Sequence, residues 1–577
     1  MAAPVPNRLQ ALFGAASASL DRSRRLRPID FALLAAVAGV AFGLVRLEHR
    51  WAAPFRPAVQ IDLSFWALPR YAALSLSRGL AAYLLSLAFT IGYGYWAAKD
   101  RVAERILIPL LDVLQSIPVL GFMPSVVLAL VAAFPRSNAG LELAAVVMIF
   151  TGQAWNMTFS FYHSLRSIPR ELEEVGTLYR FRARRRLRWV ELPSAAIGLI
   201  WNSMMSMAGG WFFLMVSEAF VLGDHDFRLP GLGSYMSVAV ARGDGAAMAA
   251  SVAAMVLLIV LLDQLVWRPL VVWAQKFRLE ESGQAEAMES WFYERLVRSR
   301  LASALGERRR RAFTRGAPAT SRRRLPPRAS GLVGSVLLIG LVALLLWGAL
   351  SLVALLRSVG LNVWRGVAID AGFTLARVLA AVALGTLWTV PAGLAIGLSP
   401  RVSRVLQPFV QVVASFPAPM LFPAVIVLLR AAGISLGVGS VVLMLLGTQW
   451  YVLFNVVAGA TAVPADLREA AQLFQFGAWQ RFRRLYLPAI FPHLVTGWVT
   501  AAGGAWNASI VSEYVSSGGR VFTARGLGAT ISEAAASGRF GLLAAAVAIM
   551  ALVVVTFNRL VWRRLHALGE ERFSLAR

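Results

Sequence analysis

Cysteine is absent from the 577-residue chain, so disulfides and thiolate metal sites play no part in it. Lysine is nearly absent: Lys99 is followed by Asp and Lys276 by Phe. A phosphate-cradling P-loop needs Gly-Lys-Ser/Thr, so the chain is not expected to hydrolyse ATP itself. The five histidines, His49, His163, His225, His493 and His566, are scattered and build no metal site. The "GDHDF" stretch around His225 suits a cation or, more simply, a solvated loop. Charge is scarce as well, at 15% of residues against 58% hydrophobic. A chain of that composition cannot bury its apolar surface in a soluble core and must use lipid as solvent.

What is present is a set of apolar runs. Crossing a bilayer as a helix takes about 20 residues, and twelve stretches qualify. They lie near 30–47, 70–98, 105–133, 140–163, 194–222 and 246–272, then near 329–356, 370–398, 404–430, 436–460, 488–515 and 540–562. The first follows "DRSRRLRPID" and is short enough to be weighed as a signal peptide, but no small-residue cleavage site closes it. Retained as a span, it makes the count even.

The formal net charge of +27 would suggest nucleic acid in a soluble protein. Here the arginines fall in alternate loops. Arg22, Arg24, Arg25 and Arg27 precede span 1; Arg101 and Arg105 join spans 2 and 3; Arg180 to Arg188 join spans 4 and 5. Arg308 to Arg311 and Arg322 to Arg324 lie mid-chain, Arg401 and Arg404 join spans 8 and 9, and Arg481, Arg483 and Arg484 join spans 10 and 11. The positive-inside rule then places those loops and both termini in the cytoplasm, and the charge reads as contact with anionic lipid rather than DNA.

The chain is also written twice. Arg78, Gly94, Arg105, Pro109, Ser116, Pro118 and Pro124 recur 299 positions later as Arg377, Gly393, Arg404, Pro408, Ser415, Pro417 and Pro423. After a slip of four residues the offset is 295. Pro169, Glu174, Pro193, Gly209, Trp211, Ser217, Glu218, Phe227, Gly231, Gly233 and Arg268 then match Pro464, Glu469, Pro488, Gly504, Trp506, Ser512, Glu513, Phe522, Gly526, Gly528 and Arg563. Six spans per copy make a parallel repeat about an axis along the membrane normal. The domain reading is an amino-terminal tail at 1–29, a first unit at 30–276, an arginine-rich linker at 277–328, a second unit at 329–566 and a tail at 567–577. In the linker Met288, Phe292, Leu296, Leu301 and Leu305 recur at helical spacing beside Arg295, Arg298 and Arg300. That suits a helix in the headgroup plane or a soluble tether.

Two charged amphipathic segments interrupt the apolar chain. In "DLREAAQLFQFGAWQRFRRLYLPAIFP" Leu467, Ala470, Ala471 and Phe474 share one helix face, and Leu172, Val175, Gly176 and Tyr179 repeat the spacing in "ELEEVGTLYRFRARRRLRWVELPSAAIG". Pro169 and Pro464 can open the helices, with Glu171 and Asp466 in the first turn. The Glu-Ala-Ala opening followed by Leu-Pro resembles the EAA loop of ABC-importer permeases. "LLDVLQSIPVLGFMP" and "FVQVVASFPAPMLFP" look most like the nitrate, sulfonate, taurine and bicarbonate branch in its duplicated, fused form.

That resemblance implies an all-α integral membrane fold of two tandem six-helix type I importer permease units, related by a pseudo-twofold axis. It implies two ABC ATPase subunits docking on coupling helices, at Leu172, Glu174, Val175 and Gly176 and at Leu467, Glu469, Ala470 and Ala471. It implies a periplasmic or lipid-anchored substrate-binding protein, a small anionic solute, ATP and Mg held by the partners with no cofactor in this chain, and a bacterial inner membrane. Two departures bear on the loops. The family glycine six positions after the Glu is replaced by Arg180 and Gln475, and Val175-Gly176 stands where Ala-Ala is expected. The rival reading is an ATP-independent secondary transporter with parallel repeats, which unpaired intramembrane carboxylates would mark.

Charged groups within spans cost about 2.5 to 3.5 kcal/mol on insertion scales and are functional candidates. Arg78, Arg377, Glu218 and Glu513 all fall toward the outer face, which suggests that Arg78 pairs with Glu218 and Arg377 with Glu513, as an outer gate or simply as ties between helices. Ser116-Ile117-Pro118 and Ser415-Phe416-Pro417 should kink their helices and are candidates to line the pathway, together with Trp155 and Trp450. Packing is the plain alternative for each.

Overall fold

Prolines and polar caps decide where these apolar runs become helices. The computed structural model describes residues 60–181, 183–222, 225–277, 290–297, 340, 343, 346–357, 359–517 and 520–573. The expected first span, the amino-terminal tail, most of the linker and the start of the seventh span lie outside the described residues. In the first copy α1 spans Leu68–Lys99 and α2 Arg101–Ser116. Between them the Asp100 side chain accepts from Val102 N at 2.8 Å and Ala103 N at 3.2 Å, an N-cap that fixes the corner. α3 spans Val119–Ala133, α4 Ala139–Arg166 and α5 Arg170–Leu178. α6 spans Ala183–Glu218. A short hairpin, β1 (Val221–Leu222) and β2 (His225–Asp226), leads to α7, Leu232–Arg242, and α8, Gly245–Gln275. α9, Trp291–Val297, is the described part of the linker.

The second copy repeats the order. After α10, Leu346–Leu356, come α11 (Leu361–Leu398), α12 (Pro400–Ser415), α13 (Phe422–Ala431), α14 (Leu436–Thr461), α15 (Ala465–Leu473) and α16 (Ala478–Ser512). The hairpin is now β3, Tyr514–Ser517, and β4, Arg520–Thr523, followed by α17, Leu527–Ala536, and α18, Phe540–Phe573. Among the described residues seven helices are long and apolar enough to cross a membrane. α4 has the length, at 28 residues, but carries Glu142, Gln153 and Asn156.

Spans 3 and 9 correct the sequence reading. A kink was expected, yet each run is broken into two helices. Ile117 and Pro118 are extended, with ψ of 121° and 120°, and Phe416 and Pro417 likewise, with ψ of 130° and 109°. A proline drives the residue before it out of the helical region and offers no N–H of its own, which is enough to end a helix here.

Each unit is a sheet of helices in which α4 lies between α1 and α6, and α14 between α11 and α16. The units then exchange contacts. α3 packs on α16, α17 and α18, while α12 packs on α6 and α8, and a single apolar core runs through both units. π-helical turns also recur in register. They lie at Leu187–Glu191 and Phe482–Tyr486 in α6 and α16, and at Asp263–Trp267 and Asn558–Trp562 in α8 and α18. The first pair directly precedes Leu192-Pro193 and Leu487-Pro488, where proline deprives the preceding turn of a donor and the backbone widens to accommodate it.

Candidate functional site

The hairpin end of each unit is tied by a buried ion cluster. Arg78 on α1 and Glu218 at the end of α6 are fully buried, and Arg78 Nη1 donates to Glu218 Oε1 at 2.7 Å and to Pro230 O at 2.9 Å. Glu218 also accepts from Ser75 Oγ at 2.8 Å and from Gly233 N at 2.9 Å, while Leu232 N donates to Ser75 Oγ at 2.9 Å. Leu232 and Gly233 open α7, so the carboxylate sits against the positive end of a helix. Gly231 makes this approach possible: a Cβ there would lie 2.2 Å from Glu218 Cδ.

The second copy builds the same cluster from Arg377, Glu513 and Thr374. Arg377 Nη1 donates to Glu513 Oε1 at 2.7 Å and to Arg525 O at 2.7 Å. Thr374 Oγ1 and Gly528 N donate to Glu513 at 2.9 and 2.8 Å, and Leu527 N donates to Thr374 Oγ1 at 2.8 Å. The structure thus brings each arginine to its expected carboxylate. It also adds a member that sequence comparison missed. Arg78 is gripped from the far side by Glu142, with Nε–Oε2 at 2.5 Å and Nη2–Oε1 at 2.8 Å. At the matching position stands Gly437, whose carbonyl accepts from Arg377 Nε at 3.0 Å. The first cluster therefore holds two carboxylates and one guanidinium, the second one of each.

At the arginine-rich end, α5 and α15 stop in the same way. Phe181 N donates to Gly176 O at 2.9 Å and Arg180 N to Thr177 O at 2.9 Å; Phe476 N donates to Ala471 O at 3.0 Å and Gln475 N to Gln472 O at 2.9 Å. This is a Schellman closure, and it puts Arg180 at φ 47° and Gln475 at φ 54°, in the left-handed region. The turn that glycine would make freely is thus made by residues that pay for it. The expected docking face is unevenly exposed. Gly176 and Ala471 are buried, although a Cβ on Gly176 would meet nothing within 4 Å. Leu172 and Ala470 are half-buried, while Glu174, Glu469, Val175 and Leu467 are exposed. The free apolar surface is carried by Leu178 and Leu473, 80% and 83% exposed, beside Tyr179 and Phe474.

Comparison with known proteins agrees with this doubled architecture. The family described as the binding-protein-dependent transport system inner membrane component is matched twice, at residues 90–266 and 385–566. The chain belongs to this family. It is 26% identical over 204 residues to the nitrate import permease protein NrtB of Leptolyngbya laminosa, covering 34% of this chain and 70% of the relative. It is 25% identical over 183 residues to the taurine transport system permease protein TauC of Escherichia coli, covering 31% and 62%. It is 23% identical over 145 residues to the bicarbonate transport system permease protein CmpB of Synechocystis, covering 25% and 50%. The chain thus spans about half to 70% of the length of these single-copy-sized matches.

The remaining site candidates of this inner-membrane component fall on two sides of its inner helices. Trp155 packs against Phe89 and Phe150, and Trp450 against Trp388 with its Nε1 donating to Leu446 O at 3.0 Å. Both tryptophans face α1 or α11 and not the junction of the units, because aromatic partners on those helices claim them. Ser116 closes α2. Ser415 Oγ donates to Gln411 O at 2.8 Å and lines a small inter-unit crevice with Trp211 and Asp263. Pro118 and Pro417 occupy the helix breaks.

Further residues meet on the face between the units. Tyr451 on α14 wedges between the two copies: a Cβ on Gly209 of α6 would lie 3.3 Å from its hydroxyl, and one on Gly504 of α16 3.3 Å from its ring. Asn156 stands at the matching place on α4. From there an open cavity of about 600 Å³ runs toward the arginine-rich end, lined by Ser160, His163, Ser164, Arg166 and Asn202 among others, with no carboxylate in its wall. On α16, Thr496, Thr500 and Gly503 are exposed and Asn507 half-buried, one helical stripe; the matching positions on α6 are Trp201, Met205, Ala208 and Phe212. Asn507 Oδ1 accepts from Leu120 N of the other unit at 3.4 Å, where α3 resumes after its break. Gly209 and Gly504 stood out in the sequence only as a repeated pair and Asn156 only as a polar residue within its span; none was expected on this face. The signal was a set of polar residues at helical spacing in apolar runs, present in one copy and absent from the other.

Proposed function

We propose that this chain is the membrane pathway of an ATP-driven importer for a small anionic solute. The observation that carries the reading is the twofold repetition of a short amphipathic helix, α5 and α15, each offering an exposed Leu and aromatic residue at one end of a membrane bundle. Two cytoplasmic ATPase subunits would grip these helices, with ATP and Mg on the partners and no cofactor in this chain. A periplasmic or lipid-anchored binding protein would deliver the solute at the hairpin end. Arginine-bearing loops at the α5 end favour that end as cytoplasmic, with both termini on the same side, and the family's description favours the inner membrane.

The polar wall of the cavity supports this solute class. Hydroxyl, amide, imidazole and guanidinium groups line it, with Glu104 3.6 Å from Arg166 just outside the lining residues. Nitrate, taurine and bicarbonate permeases among the relatives support the same class. Arg78–Glu218 and Arg377–Glu513 would hold the outer end shut while the cavity stays open inward. The test is uptake into proteoliposomes carrying the full chain, both ATPases and the binding protein, with labelled nitrate, bicarbonate and taurine. Uptake should require ATP and be blind to ion gradients. Uptake by the chain alone, driven by a proton or sodium gradient, would establish the secondary-transporter alternative instead.

A further inference from the structure

The two docking loops differ in one ionic feature. In the first copy a run of charges links α1 to α5. Lys99 Nζ lies 2.7 Å and Arg186 Nε 3.1 Å from Glu191 Oε1, and Arg186 Nη2 donates to Glu173 Oε1 at 2.7 Å. Glu191, in the π-helical turn, is fully buried, and its contacts are close without being aligned as hydrogen bonds, so charge rather than direction holds them. In the second copy the matching residues are Leu398 for Lys99, Tyr486 for Glu191, Arg481 for Arg186 and Arg468 for Glu173. Both acids are gone, and a second arginine stands where Glu173 was. The Nε atoms of Arg468 and Arg481 are buried with no acceptor. The acids of α15, Asp466 and Glu469, are exposed, and no ion pair joins them to either arginine among the described residues.

We propose that Arg468 and Arg481 form a carboxylate-binding site, filled by an Asp or Glu side chain of the ATPase subunit that docks on α15. In α5 the chain's own Glu173 occupies that place. The inference rests on the docking role given to these helices above. Two guanidinium groups at the positions where Glu173 and Arg186 meet in the first copy would repel each other until an anion came between them, and the planar fork of arginine binds a carboxylate through two parallel hydrogen bonds. The copies therefore present different faces. In the first loop Arg186 is neutralised from within by Glu173 and Glu191, and the loop offers its partner an apolar knob, Leu178 and Tyr179, beside the exposed Arg180, Arg184 and Arg185. The second offers Leu473 and Phe474 together with a cationic socket. Salt weakens the part of the contact that the socket makes.

The test uses the full chain purified with its ATPase subunits, and native mass spectrometry to count them. Because the chain has no cysteine, Leu178→Cys and Leu473→Cys crosslinks report which helix is occupied. Arg468→Glu rebuilds inside the second loop the acid–arginine pair of the first, so the loop keeps its fold while the socket is filled. It should weaken ATPase binding at α15 by about tenfold or more and reduce the salt dependence there, leaving α5 occupied. Arg481→Ala should weaken α15 in the same way, and Glu173→Gln should leave both helices occupied. Wild-type affinity at α15 in both arginine variants would overturn the socket. Recovery of no ATPase with the wild-type chain would overturn the docking reading beneath it.

Discussion

Replacing Arg78 by Met should damage the protein far more than replacing Arg377 by Met, although the two residues are repeat-related and both tie α1-type to α6-type helices. Arg78 donates to Glu142 twice, to Glu218 and to Pro230 O. Without it Glu218 keeps Ser75 and Gly233, but Glu142, 1% exposed, has no other partner among the described residues. Removing one partner of a buried ion pair costs about 3–5 kcal/mol, and two stranded carboxylates put Arg78→Met at the top of that range. Arg377→Met strands only Glu513, which keeps Thr374 and Gly528, and the Arg377 side chain is 12% exposed. That places it near the bottom of the range, about 2 kcal/mol less costly. Adding Glu142→Leu to Arg78→Met removes one stranded charge and should recover about 2 kcal/mol. Reversible unfolding of the full chain in bicelles, read by steric trapping, measures all three. Equal costs for the two arginines, or no recovery in the double variant, would refute the argument that Glu142 sets the difference.

Other outcomes follow from the same geometry. Arg180→Gly and Gln475→Gly should each stabilise their loop by about 1 kcal/mol, because glycine takes the left-handed turn without strain; hydrogen exchange of α5 and α15 amides reads the change. Gly231→Ala and Gly526→Ala should prevent folding of their hairpin ends, since a Cβ would fall 2.2 Å from Glu218 Cδ or 2.4 Å from Glu513 Oε2, and Gly245→Ala, with open space around it, should be harmless in the same expression and thermal-melt comparison. On the hairpin, burial raises the Asp226 carboxyl but hydrogen bonds from Arg228 outweigh it and hold it below the usual range. The pair therefore contributes stability above the unfolded carboxylate value of about 3.9, and loses it as pH falls through the lower folded value. Asp226→Asn should remove that acid sensitivity from hydrogen exchange of β1 and β2.

Much of this was legible in the residues because the chain carries its own comparison. Arg78, Glu218, Gly231 and Gly233 stand out since they recur at a constant offset, and the structure shows why: each is needed to bring a carboxylate onto the start of α7. The helix breaks were only half legible. Proline announces a disturbance at Pro118 and Pro417, but whether a helix bends or stops depends on what receives its free ends, and Asn507 lies on the other unit. Helical spacing identified the face of α5 and α15 without showing how exposure divides along it: Gly176 and Ala471 are buried, and Leu178 and Leu473 carry the open apolar surface. The neighbours of Trp155 and Trp450, Phe89 and Trp388, lie at distances in sequence that no local pattern reveals.

The features that escaped share a physical origin. A search for repeated residues finds what both copies need, which is scaffold, and passes over what only one copy has. Glu142 against Gly437, Asn156 against Tyr451, Trp201 against Thr496 and Glu173 against Arg468 are all of the second kind. A homodimer must place identical side chains on both sides of its axis, because one gene writes both walls. A fused pair is free of that constraint. The solute proposed here is far smaller than the cavity of about 600 Å³ beside Asn156 and Asn202, so it need not sit on the axis at all. Polar groups on α4 and α6 beside that cavity, and on α16, would give it an off-axis course, while Tyr451, which has Asn156 as its counterpart in the first unit and approaches Gly209 of α6, would close the direct one. Exchanging these residues between copies tests that view. Asn156→Tyr with Tyr451→Asn should restore a closed axis from the opposite side and keep uptake, whereas Tyr451→Asn alone should leak solute without ATP. A tight, ATP-dependent single variant would show that Tyr451 merely fills space.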